Sequence, residues 1–337
     1  MSQSTLTEAE IQVLASIRMA EQESEPTDRS TLVKGGERYW MFQEDWTEAF
    51  PTLLEKGLIE GDETGYRLTE SGNPIGAKYY AERPDMYWYY YQKFYPAARA
   101  SAAHSKLCER AFGIDLTQEG MTDMSGLHHL LQLLEPKQDQ HLLDLGCGAG
   151  FIAEYIADKT GAKVTGLDYA EPAIAEAKER TRNKQDRLSF VGGDMNALDL
   201  PQRSFDSVVS IDTLYWVEDL TKTMAQVAKL LKSGGQMGIF MLQNVPKGRK
   251  AKDYSAEETP LGRSLKDIGL SFDAYDYTIQ NDAFWYRNYQ AAKDLQDEFE
   301  TEGNGFIAAS LIRESEEDFL PFIDKGTLSR YLYHVRT

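Results

Sequence analysis

Three glycines at alternate positions, Gly146, Gly148 and Gly150, follow an acid, Asp144, in the stretch LLDLGCGAGF. An apolar run feeding closely spaced glycines reads as a strand that turns into a helix around a ligand. Two further acids close later apolar runs: Asp168 ends VTGLD, and Asp194 stands in GGDM with Met195 after it. The dinucleotide pattern G-x-G-x-x-G sets a pyrophosphate on the helix N-terminus. Here Phe151 stands where the third glycine of that pattern belongs. Asp144 would also repel a pyrophosphate, and the sequence puts no Arg or Lys beside the turn to offset the repulsion.

A ligand with an ammonium or sulfonium centre and no phosphate meets neither objection, and S-adenosylmethionine is such a ligand. The later acids suit it. A carboxylate at Asp168 can accept from both ribose hydroxyls. Asp194 can accept from the adenine amine, with Met195 packing on the ring. Taken singly each feature is ordinary, since a strand-end Asp often caps a helix. Their order within one domain's length is what carries weight.

These residues need a sheet to hold them. From His141 the chain alternates regularly: HLLDL, AKVTGLD, RLSFVGGD, FDSVVSID and QMGIFML read as strands, and GFIAEYIADKTG, EPAIAEAKERTRN and LTKTMAQVAKLLKSGG as the helical stretches among them. Strict β–α alternation predicts an α/β fold with a parallel sheet, helices on both faces, and ligands at the carboxyl ends of the strands. Ahead of this region, residues 1–74 predict a mostly helical, winged-helix-like domain: a helix from Thr7 or Glu8, a second in EDWTEAFPTLLEKG, then a hairpin in LIEGDETGYRLTESG. Residues 75–135 read as an aromatic-rich helical linker or lid. Residues 136–337 form the ligand-binding domain.

The formal charge of −18 argues against broad nucleic-acid or anionic-membrane surfaces, which need clustered Lys and Arg. A heavily solvated acidic surface is the plain alternative. The winged-helix-like region repeats the point, because its candidate recognition helix carries Glu44, Asp45, Glu48 and Glu55 against Lys56. It is expected to contribute to a homodimer or a lid rather than to bind DNA. The two cysteines, Cys108 and Cys147, lie in unrelated contexts, which predicts neither a disulfide scaffold nor a metal site. The N-terminus lacks a signal-peptide pattern, and no apolar run approaches the roughly 18 residues of a membrane span. A cytoplasmic protein is expected.

With these motifs in view, residues 141 to about 241 resemble the cofactor-binding core of class I S-adenosylmethionine-dependent methyltransferases. The resemblance implies a Rossmann-like sheet with Asp144, Gly146 and Gly148 at the methionine part of the cofactor and Gly150 also among the cofactor-binding residues. It implies Asp168 at the ribose, Asp194 and Met195 at the adenine, and Ser210, Ile211 and Asp212 near the methyl group. It also implies a closing antiparallel hairpin, for which SFDAYDYT and SRYLYHVRT serve, with a helical insertion at about 280–325 between them.

The acceptor is less legible. Amino-group methylases of DNA and of some proteins resemble one another in an Asn/Asp-Pro-Pro-Tyr/Phe motif after the fourth strand; here that place reads IDTLYW. Phenolic O-methyltransferases with winged helices typically place a catalytic His after the fifth strand, and no His lies between His141 and His334. A small-molecule methyltransferase with a nitrogen acceptor is the expectation. O- or S-methylation, or a regulatory protein that keeps the fold, are the alternatives. Asp212, Tyr215 and His128 are the catalytic candidates, while ordinary packing is the competing role for the histidine and a loop cap for Asp212. Tyr89, Tyr90, Trp285 and Tyr286 are the candidate acceptor wall, with packing again the alternative; a desolvated aromatic face attracts a cation by roughly 0.5–2 kcal/mol.

Overall fold

In the computed structural model, residues 6–39, 45–82, 90–118 and 120–337 are described. The chain forms two compact units, residues 1–97 and 98–337. The division falls inside the segment that the sequence marks as a linker.

In the first unit, α1 (Glu8–Glu23) starts at a capping box in which Thr7 and Glu10 satisfy each other's backbone N–H groups. It is followed by α2 (Arg29–Tyr39), α3 (Ala49–Glu55), the hairpin β1 (Ile59–Asp62) and β2 (Gly65–Leu68), and α4 (Gly72–Glu82). Leu14, Ile17, Phe50, Leu53, Ile59 and Tyr66 make its core. Lys56, the cation of the candidate recognition helix, is spent on the buried Glu10 at 2.6 Å. Helices lead into a two-stranded hairpin, as the sequence predicts, with α2 a further helix between the two expected ones.

The second unit begins with α5 (Ala102–Phe112) and α6 (Met124–Leu134). The alternating part runs β3 (His141–Leu145), α7 (Phe151–Thr160), β4 (Lys163–Asp168), α8 (Glu171–Arg180), β5 (Leu188–Gly192), β6 (Phe205–Ile211), α9 (Leu220–Leu230) and β7 (Leu231–Asn244). It closes with α10 (Pro260–Asp267), β8 (Ser271–Asp276), a helical insertion and β9 (Leu328–Arg336). The insertion holds α11 (Thr278–Asp294), α12 (Gln296–Thr301), α13 (Gly305–Glu314) and α14 (Leu320–Asp324).

The seven strands lie in the order β5-β4-β3-β6-β7-β9-β8, with β9 antiparallel to both neighbours and the other pairs parallel. Period-two alternation along each strand feeds two separate cores. Leu143, Leu145 and Val208 pack with Met224 and Val227 of α9 on one face. Leu142, Val164 and Val209 pack with Leu130 of α6 and Ile156 of α7 on the other. One boundary differs from expectation. The stretch LTKTMAQVAKLLKSGG reads as helix and turn, yet α9 stops at Leu230, and Leu231 already pairs with Phe205. Leu231 is buried in the first core, so burial overrides local helix propensity there.

Candidate active site

The glycine turn is held from three sides. Gly146 and Cys147 donate their N–H groups to the Leu167 carbonyl at 2.8 and 3.0 Å, which pins the turn to β4. Gly146, Gly148 and Gly150 all have positive φ (80°, 53° and 76°). At Gly146 and Gly150 the space is closed as well: a Cβ would lie 2.5 Å from Thr213 and 2.3 Å from the Phe190 ring. Gly150 then opens α7. A cation does reach the turn, contrary to the expectation. Arg180 donates to the Ala149 carbonyl at 2.6 Å, pairs with Glu154 at 3.1 Å and lies 3.8 Å over the Phe151 ring. No sequence motif announces it, because it comes from the far end of α8.

Asp168, at the end of β4, is buried and accepts from Gly148 N–H at 2.8 Å and Ala170 N–H at 2.9 Å, one bond to each carboxylate oxygen. Burial nevertheless raises its pKa against those hydrogen bonds. Asp144, on the adjacent β3, is buried too, and its Oδ2 has no hydrogen-bond partner. Burial, and then the charge of Asp168, push its carboxyl up to about 7. Asp194 stands exposed past β5, accepting from the Asn196 backbone and side-chain amides at 2.8 and 3.0 Å, with half-buried Met195 beside it packed on the sheet's core. Ser210 and Ile211 end β6; the Ser210 hydroxyl bonds Thr213 at 2.7 Å, and Thr213 donates to the Leu145 carbonyl at 2.9 Å. The predicted cofactor residues thus line the carboxyl ends of four neighbouring strands.

Asp212 is more than a loop residue. Its carboxylate is ion-paired with Arg330 of β9 at 2.5 Å, both side chains being almost fully buried. The same oxygen takes the Met121 N–H at 3.0 Å, and the other takes the Tyr215 hydroxyl at 3.1 Å. Tyr215 in turn accepts the Leu242 N–H at 2.7 Å. Burial and the Asp212 charge hold the Tyr215 hydroxyl well above its usual pKa. Both oxygens of Asp212 are therefore engaged in the protein's own bonds. Arg330 was missed by sequence reasoning, although an arginine between Leu328 and Leu332 on the inward side of an apolar strand is a visible oddity.

The remaining candidates of the second unit are held by other partners. His128 is exposed on α6, and its Nε2 lies 2.8 Å from the Tyr155 hydroxyl. Trp285 is buried among the helices, stacked on Phe319 with ring centroids 3.6 Å apart, and packs with Phe112, Phe284 and Ile323. Tyr286 points outward to Asp324. Tyr90 belongs to the first unit and stacks on Tyr95, while Tyr89 lies outside the described residues. Among the described residues, no helix is long and apolar enough to cross a membrane.

Residues 143–239 match the family model described as methyltransferase domain. Phosphoethanolamine N-methyltransferase 1 of Zea mays is 27% identical over 209 residues, covering 62% of this chain and 40% of that protein. A sterol 24-C-methyltransferase of Gibberella zeae is 33% identical over 115 residues, 34% of this chain and 30% of that one. The chain therefore spans well under half the length of these two curated relatives. Among solved structures, Haemonchus contortus phosphoethanolamine N-methyltransferase 2 superimposes with a TM-score of 0.60 at 19% identity, over 73% of this chain and 60% of its own. The [4+2]-cyclase SpnF does so with 0.51 at 18%, over 63% of this chain and 79% of its own. The second unit has the class I methyltransferase fold.

Proposed function

We propose that the protein transfers a methyl group from S-adenosylmethionine to a small molecule, with nitrogen as the atom methylated. The observation that carries the proposal is Asp144: a buried carboxyl, one oxygen without a partner, beside a second buried carboxyl and next to the glycine turn. Two such acids repel a pyrophosphate, Arg180 at the turn being paired with Glu154, and they favour a ligand that brings a cation. In this reading the free acceptor sites on Asp168 take the ribose hydroxyls, and Asp194 with Met195 takes the adenine. When bound, S-adenosylmethionine supplies an electrophilic methyl group. The protein's part is to orient the acceptor and keep the site dry.

Nitrogen is favoured by two considerations. An amine that arrives neutral needs no general base, and Asp212, the carboxylate best placed by motif, has both oxygens engaged. The likeness to phosphoethanolamine N-methyltransferases, moreover, extends over 209 and 197 residues, beyond the matched domain, whereas that to the sterol C-methyltransferase spans 115. Calorimetry with S-adenosylmethionine, its demethylated product and NAD tests the cofactor; binding of NAD alone overturns the proposal. A mass-spectrometric screen of amines, phenols, thiols and sterols tests the acceptor. Turnover of any other class with no amine turned over overturns the nitrogen assignment.

A further inference from the structure

We infer that Arg330 is a positioning residue for methyl transfer: it clamps the Met121–Thr122 segment and the turn after β6 into one wall beside the glycine turn. The inference rests on the methyltransferase reading for its consequence, though not for its geometry. Its starting point is a cost. Arg330 sits on β9 between Leu328 and Leu332, which share its face of the sheet and are buried. An arginine with 2% of its side chain exposed, paired with an aspartate at 3%, is an expensive way to gain stability, since desolvation offsets most of the attraction. What the pair does supply is fixed geometry.

The guanidinium uses its fork for that purpose. One nitrogen, Nη1, donates to the Met121 carbonyl at 2.9 Å; the other, Nη2, donates to Thr122 Oγ1 at 2.6 Å and to Asp212 Oδ2 at 2.5 Å. Its central carbon lies 4.9 Å from the centre of the Phe240 ring. Asp212 returns the hold by accepting from Met121 N–H. Three elements far apart in sequence, the segment before α6, the end of β6 and β9, meet at this pair.

Asp212 also has a φ of 57°, and its N–H donates to the Phe240 carbonyl at 3.1 Å. A non-glycine residue stays in the left-handed region when its surroundings over-determine it, and such residues gather at functional sites. The next residue, Thr213, is the one that packs on Gly146 and bonds Leu145. Any shift of Asp212 is thereby passed to the glycine turn. The clamp therefore fixes the distance between cofactor and acceptor and spends Asp212 Oδ2 on the protein's own bonds.

Two variants of the full chain test this. Arg330→Lys keeps the charge and loses the fork. The pair Asp212→Asn with Arg330→Met removes both buried charges and leaves neither unpaired, so it guards against simple unfolding. Hydrogen exchange of the peptide covering residues 114–123 reads the clamp, and calorimetry with S-adenosylhomocysteine reads the cofactor site. Turnover of the acceptor found in the screen reads the consequence. Expected in both folded variants are Met121 exchange at least tenfold faster, kcat at least tenfold lower, and cofactor Kd and acceptor KM within about threefold of wild type. Unchanged exchange in a folded variant overturns the clamp, and unchanged kcat overturns its positioning role. If wild type fails to bind S-adenosylhomocysteine, the methyltransferase reading falls, and exchange at Met121 still decides the clamp.

Discussion

Replacing the Asp144 carboxyl with an amide, Asp144→Asn, gives a test with opposite signs for stability and binding. The wild-type carboxyl is held near 7 by burial first and by the Asp168 charge second, against 3.8 in an exposed chain. Between these values the folded protein binds a proton that the unfolded chain has released, so stability falls as pH rises through that window and levels off above about 7. One pKa unit corresponds to about 1.4 kcal/mol, so the loss between pH 5 and pH 8 is roughly 2–3 kcal/mol. The Asp144→Asn variant carries no charge at this position and escapes the loss.

Subtracting the two melting curves at each pH cancels the titrating groups that do not interact with Asp144, leaving Asp144 and its interacting neighbour Asp168. The difference, Asp144→Asn minus wild type, is expected to move toward the variant by about 5–10 °C between pH 5 and pH 8, at roughly 2–4 °C per kcal/mol for a unit of this size. The same substitution is expected to weaken S-adenosylmethionine, because the ligand's positive charge loses the carboxylate that answers it. A stability difference independent of pH would show that Asp144 titrates normally. A variant that is stabilised at pH 8 and binds the cofactor as well as wild type would refute the reasoning from which the proposed function was drawn.

Three further outcomes are expected. Asp168→Ala weakens S-adenosylhomocysteine by about 10–150-fold in calorimetry, the equivalent of about 1.5–3 kcal/mol for hydrogen bonds to a charged group; equal affinities would remove the ribose assignment. Trp285→Ala lowers stability by about 3–5 kcal/mol, as for other buried aromatics, and leaves the ranking of acceptors unchanged; a changed ranking at wild-type stability would return the ring to the acceptor wall. The first unit forms no complex with duplex DNA in a low-salt gel shift, since the Lys56 that follows α3 is spent on Glu10, and a salt-sensitive complex would revive a regulatory role.

What the sequence made legible follows from which interactions are local. Gly146 to Gly150 and the acids closing β3 and β4 announce themselves because strand, turn and helix are consecutive, and the backbone chemistry of such a turn admits few residue types. The alternation of apolar runs predicts the parallel part of the sheet for the same reason, while the antiparallel pairing of β8 with β9 is what the family resemblance implies. The misplaced end of α9 marks the limit of this logic: Leu231 has good helix propensity, and its burial against the sheet is a fact about residues far away. Trp285 illustrates a second limit. Aromatic content signals burial as strongly as it signals a cation site, and only the stack on Phe319 separates the two.

Arg330 and Asp212 show why the end of the site after β6 was the least legible part. The two stand 118 positions apart, and neither sits in a motif that names the other. Asp212 alone looks like a general base or a cap, and Arg330 alone looks like an edge charge on a terminal strand. Period-two reading of LSRYLYHVR does place Arg330 with Leu328 and Leu332 on a buried face, and a buried guanidinium must find a carboxylate. The sequence thus demanded an acid at that level of the sheet without saying which. The positive φ at Asp212, the bonds to Met121 and Thr122, and the contact of Thr213 with Gly146 supply the choice. They also turn an apparent proton acceptor into part of a wall. Under the proposed function, an acceptor that needs no base from the protein is the chemical corollary, and an amine that arrives neutral meets it.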